Sequence, residues 1–186
     1  QWVIPSPVGR IDPARGPQPK SPAAQAVYYA GSATAEWYTP PAFVALVVQV
    51  LGSIDVDPCS NTERSIPAER HFTQEEDGLS HYWYGRIYMN PPYGDVIGQW
   101  VKHLCREYMA GRTKEAIALV PARTDTQWFS LFSAFSQCFI RGRLKFGGSE
   151  TSAPFPSAAI YLGPNEERFT DVFKAIGQIS RSATVS

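Results

Sequence analysis

Asn90-Pro91-Pro92-Tyr93-Gly94 follows the apolar run Arg86-Ile87-Tyr88-Met89 and precedes a helical segment that begins near Val96. Each proline fixes φ at about −65° and removes an amide donor, and Pro91 also pushes Asn90 out of the helical region. A strand must therefore stop here in a rigid, extended turn that holds the Asn90 amide, the Pro91 carbonyl and the Tyr93 ring on a nearly fixed frame. Amide and carbonyl oxygens accept hydrogen bonds from a planar amino group, and an aromatic ring beside them can stack on the flat system carrying that group. The frame suits an exocyclic or amide nitrogen. Asn-Pro alone is also common in plain turns, but the whole string, placed directly behind an apolar strand, favours chemistry.

Three more stretches carry groups that could serve such a site. Glu36-Trp37-Tyr38-Thr39-Pro40-Pro41 leads into Phe43, Leu46, Val47, Val50 and Leu51, the spacing of an amphipathic helix ending at Gly52. Thr39 reads as its cap, with proline at the first helical positions. A helix start with a Thr hydroxyl either caps itself or takes a carboxylate, and Trp37 and Tyr38 either pack locally or cover an adenine or sugar. Ile54 to Asp57 alternates as a short strand, and an acid at the carboxyl end of a parallel strand sits where α/β sheets bind ligands. Asp57 thus either caps the next turn or binds an ammonium group. Asp77 either belongs to a solvated acidic loop or accepts from the amino group of a bound adenine. The chain contains no Gly-x-Gly-x-x-Gly, which argues against a phosphate-cradling nucleotide site. His71 and His81 lack partners at metal spacing, and Cys59, Cys105 and Cys138 are odd in number and far apart. That pattern fits neither a disulfide framework nor a metal site, and it suits a reducing cytoplasm.

The remaining elements frame these groups. Ile97, Trp100, Val101, Leu104, Cys105, Tyr108 and Met109 trace a helical face closing at Gly111. Glu115 to Pro121 reads as a buried parallel strand, followed by a loop in which Asp125 or Thr126 caps a helix through Trp128, Phe129, Leu131, Phe132 and Phe135. Cys138–Phe146 and Ser157–Leu162 predict an antiparallel hairpin on a sheet edge, and Glu166 to Ile179 a final helix. The expected architecture is α/β: a compact, mostly parallel sheet with that hairpin at one edge and helices on both faces. Residues 1–32 form a proline-rich arm, 33–180 one domain and 181–186 a tail. With 186 residues, 44% hydrophobic and 13% aromatic, such a domain can bury a sizeable core.

Seventeen Lys and Arg balance 17 Asp and Glu, so a polyanion must be held by a local patch. Between Val101 and Lys145 eight basic residues face three acidic ones; of these, Arg123, Arg141, Arg143 and Lys145 are the candidates for contact with a phosphate backbone. No apolar run approaches the roughly 20 residues that span a bilayer, and no membrane partner is expected.

Taken together, Glu36-Trp37-Tyr38-Thr39-Pro40, Asp55-Val56-Asp57-Pro58-Cys59, Asp77-Gly78-Leu79, Asn90-Pro91-Pro92-Tyr93-Gly94, Leu119-Val120-Pro121-Ala122-Arg123-Thr124-Asp125 and Pro154-Phe155-Pro156-Ser157 resemble, in order, the phage-type DNA N6-adenine methyltransferases. The resemblance spans about residues 35–163 and implies a Rossmann-like sheet, S-adenosylmethionine as cofactor, DNA as partner and the cytoplasm of a bacterial host as location. It puts Trp37, Tyr38, Thr39 and Pro40 in the amino-terminal cofactor motif, with Thr39 at the methionine carboxylate. It puts Asp57 near the methionine ammonium, Pro58 and Cys59 among the cofactor-binding residues, and Asp77 at the cofactor adenine. Asn90, Pro91, Pro92 and Tyr93 would hold the flipped target adenine, with Phe146, on a hairpin strand, packing on its other face. The chain departs from that pattern in lacking the glycine-rich turn after the first strand and an acid for the ribose after Phe72. It also has no room for a separate target-recognition domain, which leaves specificity to loops such as 147–156. The same frame fits a protein glutamine amide or an RNA base, and a DNA-binding module without catalysis is the non-enzymatic alternative.

Overall fold

A computed structural model of the chain describes residues 38–147 and 152–181; the proline-rich arm, Trp37 and residues 182–186 lie outside them. The first helix, α1 (Pro41–Leu51), starts where proline is best tolerated, with Pro41 at its first position, and stops at Gly52, whose φ of 80° suits glycine. Strand β1 (Ile54–Asp57) follows, then β2 (Ala68–His71), a 3₁₀ turn (Gly78–Ser80) and β3 (Gly85–Met89). After the proline turn come α2 (Ile97–Met109), β4 (Thr113–Pro121), a single-turn α3 (Gln127–Ser130), β5 (Ser136–Ile140), β6 (Ser157–Leu162), α4 (Glu166–Phe173) and β7 (Gly177–Ser180).

The seven strands form one sheet in the order β2-β1-β3-β4-β6-β5-β7. The run β2-β1-β3-β4 is parallel throughout. Strand β6 then pairs antiparallel with β4 from Ala116↔Leu162 to Pro121↔Ser157, and antiparallel with β5 on its other side. Period-two alternation sorts the side chains between two cores. Ile87, Met89, Ala116, Ala118, Val120, Ala158 and Ile160 face α2 and Phe129; Tyr88, Ile117, Leu119, Ala159 and Tyr161 face α1 and α4. The sheet thus carries helices on both faces, as expected.

Three expectations need correction. The antiparallel pair β5–β6 is present, but β6 lies inside the sheet and the edge belongs to β7, a strand within the stretch read as the end of the last helix. The first hairpin strand stops at Ile140, so Phe146 sits in the following loop and not on a strand. Met109, placed on the apolar face of α2, is 67% exposed because it falls in the last turn, beyond the sheet that covers the rest of the helix. Trp100, read as core, is 1% exposed.

At the amino ends of β3 and β4 a buried carboxylate ties the connections together. Glu107, fully buried on α2, accepts a two-pronged ion pair from Arg112 (Nε–Oε2 2.7 Å, Nη2–Oε1 2.9 Å) and a third bond from the Trp83 amide at 3.1 Å. His103, one turn earlier, has its Nε2 3.8 Å from Glu107 Oε1, and burial pushes it down to about 4 despite the neighbouring carboxylate. It is therefore neutral at physiological pH.

Candidate active site

The carboxyl ends of β1, β3 and β4 open on the same side of the sheet, and Thr39, Asp57, Asn90 and Arg123 all arrive there. At β1 the turn after Asp57 folds back, with the Cys59 amide donating to Asp57 Oδ1 at 3.2 Å. Asp57 is only 3% exposed, and His71 Nδ1, at the end of β2, lies 3.7 Å from its other oxygen. Neither Lys nor Arg pairs with it among the described residues. Phe72 donates its amide to Asp57 O and accepts from the Ser60 amide, locking β2's exit to β1's.

Asp77 packs beside this turn. A Cβ on Gly78 would overlap the Pro58 carbonyl, so glycine there lets the two loops touch. Asp77 itself adopts a left-handed conformation with φ of 48°, is 4% exposed, and accepts from the Ser80 hydroxyl. Two buried carboxylates therefore stand in touching loops, Asp57 with only the His71 imidazole beside it and neither with a Lys or Arg partner among the described residues. Burying an anion in that way is costly unless a cation or donor joins it.

β3 ends at Met89, so the strand stops at the proline turn as expected, with Pro91 buried and Asn90 and Tyr93 half-buried. The Tyr93 hydroxyl donates to Asn90 Oδ1 at 3.0 Å. The Tyr93 ring stands edge-on to Phe155 at 5.2 Å and to Phe146 at 6.4 Å. Burial raises the Tyr93 phenol and the Cys59 thiol well above their ordinary ranges, the latter with help from Asp57. Cys59 is thus a protonated thiol and not a nucleophile at neutral pH.

Thr39 does not cap α1. Pro40 occupies the cap position, its carbonyl accepting from the Phe43 and Val44 amides. Displaced by one residue, the Thr39 hydroxyl turns instead to β3 and the turn after it: it accepts from Asn90 Nδ2 at 3.2 Å and lies 2.8 Å from the Tyr88 hydroxyl. Tyr88, 1% exposed, was read only as a strand residue. Alternation along β3 was the signal, because it places Tyr88 and Asn90 on one face. Phe155 was likewise missed as an individual residue, although its motif had been noted.

The described residues on either side of 148–151 are anchored next to the site. Gly147 donates to the Tyr38 carbonyl at 2.9 Å in an isolated antiparallel bridge, and the Ala122 amide donates to the Pro156 carbonyl at 2.8 Å. Phe146 is 1% exposed beneath this loop, so it backs the Tyr93 ring from inside the core. Phe146→Ala is accordingly expected to lower stability by about 3–5 kcal/mol, the range for removing a buried phenylalanine. Urea unfolding checks this, and a loss below about 1 kcal/mol would show that the site collapses around the gap and that Phe146 carries little of the packing.

Of the basic candidates, Arg123, Arg143 and Lys145 are exposed in the loops on this side. Arg141 is also exposed, but its guanidinium reaches the Lys174 and Gly177 carbonyls at 3.5 Å and ties α4 to β7. Among the described residues no group of three His, Cys, Asp or Glu could hold a metal, and no helix is long and apolar enough to cross a membrane.

A model of the family described as DNA N-6-adenine-methyltransferase (Dam) matches residues 30–160, which takes in every one of these site residues. A search of curated proteins finds no match.

Proposed function

The chain belongs to the DNA N-6-adenine-methyltransferase (Dam) family, and from that premise we propose that it transfers a methyl group from S-adenosylmethionine to the N6 amino group of an adenine turned out of DNA. The observation that carries this reading is the Asn90 amide, held at the end of β3 between Thr39 and Tyr93.

The cofactor fits the residues present. Asp57 and Asp77 are buried carboxylates suited to an ammonium group and to the amino group of an adenine; the Pro58–Cys59 turn touches both loops, and Tyr38, Thr39 and Pro40 are assigned to the cofactor by the family motif. When bound, S-adenosylmethionine supplies an electrophilic sulfonium methyl group. The protein's task is to present N6, a poor nucleophile because its lone pair is delocalised into the ring. Asn90 Oδ1 and the Pro91 carbonyl accept the two amino hydrogens, which draws electron density onto N6 and fixes its direction. Tyr93 stacks on the extruded base with Phe155 and Phe146 behind it. Positioning and electrostatics suffice for such a step, and no covalent enzyme intermediate is needed. A base inside a duplex cannot reach the turn, so it must be extruded, and stacking worth about 1–3 kcal/mol per base offsets much of that cost. Arg123, Arg143 and Lys145 meet the flanking phosphates. The sheet order, with five strands sharing one direction and β6 reversed between β4 and β5, suits a Rossmann-like cofactor domain.

The test is transfer of labelled methyl groups to DNA free of adenine methylation. Label should appear at adenine N6 and should vanish on DNA methylated beforehand at that atom. Label found only in RNA or protein would overturn the reading.

A further inference from the structure

Asp57 and His71 are register partners at the ends of the parallel strands β1 and β2. Among the described residues the His71 imidazole is the one basic group in ion-pair range of the buried Asp57 carboxylate, with Nδ1 3.7 Å from Oδ2. Hydrogen counting fixes the tautomer of that ring. The Ser60 hydroxyl has a single hydrogen and gives it to the Asn61 carbonyl at 3.1 Å, so towards His71 Nδ1, also 3.1 Å away, it can only accept. Nδ1 therefore carries a hydrogen, shared between Ser60 Oγ and Asp57 Oδ2. Any further proton goes to Nε2, and His71, its side chain 12% exposed, lines a cavity of about 380 Å³ that admits water.

The other charged groups around that cavity are engaged elsewhere. Arg64 lies 3.9 Å from Glu76, which also accepts from the Thr73 amide and hydroxyl. Arg70 lies over one face of the Phe72 ring, and His81 stacks on that ring with its Nε2 at the Glu76 carbonyl. Glu69 is exposed. Cys59 and Tyr88, which sense the Asp57 charge, are held uncharged by burial. Asp57 is thus the charged group that an imidazolium at His71 meets.

A buried carboxylate calls for a cation, and one carboxylate neutralises one. A proton on Nε2 supplies that cation from within the fold, whereas an ammonium group docked on Asp57 supplies it from the ligand. Two cations on one carboxylate repel each other, so the ligand expels the proton. Nε2 gives it up to water, His71 becomes neutral with its hydrogen still on Nδ1, and the ammonium takes over the Asp57 charge.

Resting on the cofactor reading above, we propose that His71 is a positioning residue for Asp57, its imidazolium standing in for the cofactor's ammonium, so that cofactor binding releases one proton from His71. Linkage fixes the sign: acid keeps His71 charged and weakens binding, and affinity rises with pH through the range in which imidazoles titrate. Product release draws on the same exchange, because S-adenosylhomocysteine carries the same ammonium.

The test is calorimetry of S-adenosylhomocysteine binding to the full chain between about pH 5 and pH 7, below the range in which the ligand's own amine titrates, in two buffers of different ionisation enthalpy. The wild type should release more than about half a proton per ligand at about pH 5.5. Its affinity should fall about tenfold or more from pH 7 to pH 5, within the limit of about tenfold per pH unit for one exchanged proton. 5′-Methylthioadenosine, which has the same nucleoside and sulfur without the ammonium, should bind with little proton release and an affinity level within about threefold across that range. His71→Asn keeps a donor near the place of Nδ1 but cannot titrate. It should bind S-adenosylhomocysteine without proton release, with affinity level within about threefold across the range. A wild type that binds S-adenosylhomocysteine and releases less than about a fifth of a proton overturns the proposal and leaves the function standing. So does a His71→Asn chain that releases as many protons as the wild type, or an equal pH response to 5′-methylthioadenosine. A wild type that binds no S-adenosylhomocysteine overturns the functional reading itself. Should His71→Asn fail to fold, the wild-type proton count and the contrast between the two ligands decide alone.

Discussion

Asn90→Ala should cut methyl transfer by about 10²- to 10³-fold, the usual consequence of removing a preorganised hydrogen-bonding group from the reacting centre. The side chain is held on a proline-rigid turn, its nitrogen at Thr39 and its oxygen at the Tyr93 hydroxyl. The two prolines that follow carry no side-chain acceptor, and the Tyr93 hydroxyl, which reaches Asn90 Oδ1 at 3.0 Å, is fixed on its own ring and cannot take the place of the amide oxygen without moving. Affinity for S-adenosylhomocysteine should stay within a few-fold, because the groups assigned to the cofactor are the acids at the ends of the neighbouring loops. Calorimetry and turnover measured on one preparation separate the two effects. Retention of more than a tenth of wild-type turnover, or loss of ligand binding in place of turnover, would assign Asn90 a different role.

Glu107→Ala should lower stability by about 3–5 kcal/mol, the penalty for breaking a buried ion pair from one side. In a domain of this size that corresponds to a fall in melting temperature of roughly 6–20 °C. Removal of the carboxylate leaves Arg112 facing an emptied cavity and the Trp83 amide without its acceptor, while His103, neutral, cannot substitute. The network lies at the amino ends of β3 and β4, opposite Asn90. Methyl transfer per folded molecule at low temperature should therefore stay near the wild-type value. Differential scanning calorimetry measures the first effect, and a shift under about 3 °C would show that water or a neighbouring group satisfies Arg112 in place of Glu107.

Strand β4 could be read as interior because it is covered on both faces and so appears as a continuous apolar run; β6 was legible as a strand for the same reason, but its partners, and so its place inside the sheet, were not. The turn at Asn90 was legible because two prolines leave the backbone few choices. Strand β7 was not, since Gly177-Gln178-Ile179-Ser180 has a single apolar side chain and the helical spacing through Phe173 and Ile176 runs into it. Gly177 carries the signal in hindsight: a Cβ there would overlap the Phe139 carbonyl and Cys138 Sγ, a sign of close strand approach. Thr39 misled for a different reason. With proline at both 40 and 41 the start of the helix is ambiguous by one residue, and that residue decides whether the hydroxyl closes a helix or supports Asn90. Tyr88 needed the tertiary contact, since nothing local distinguishes a phenol that packs from one that holds Thr39.

The place of β6 has a consequence for how the protein comes into being. It pairs on both sides near the middle of the sheet, yet it follows five of the other six described strands in sequence. During synthesis β1, β2, β3 and β4 emerge before it, a half-sheet whose β4 border is bare, apolar and ready to pair with another nascent chain. The Asn90 turn is complete by then, but the loop that abuts Tyr38 and Tyr93 is not closed until Ser157–Leu162 emerges and docks.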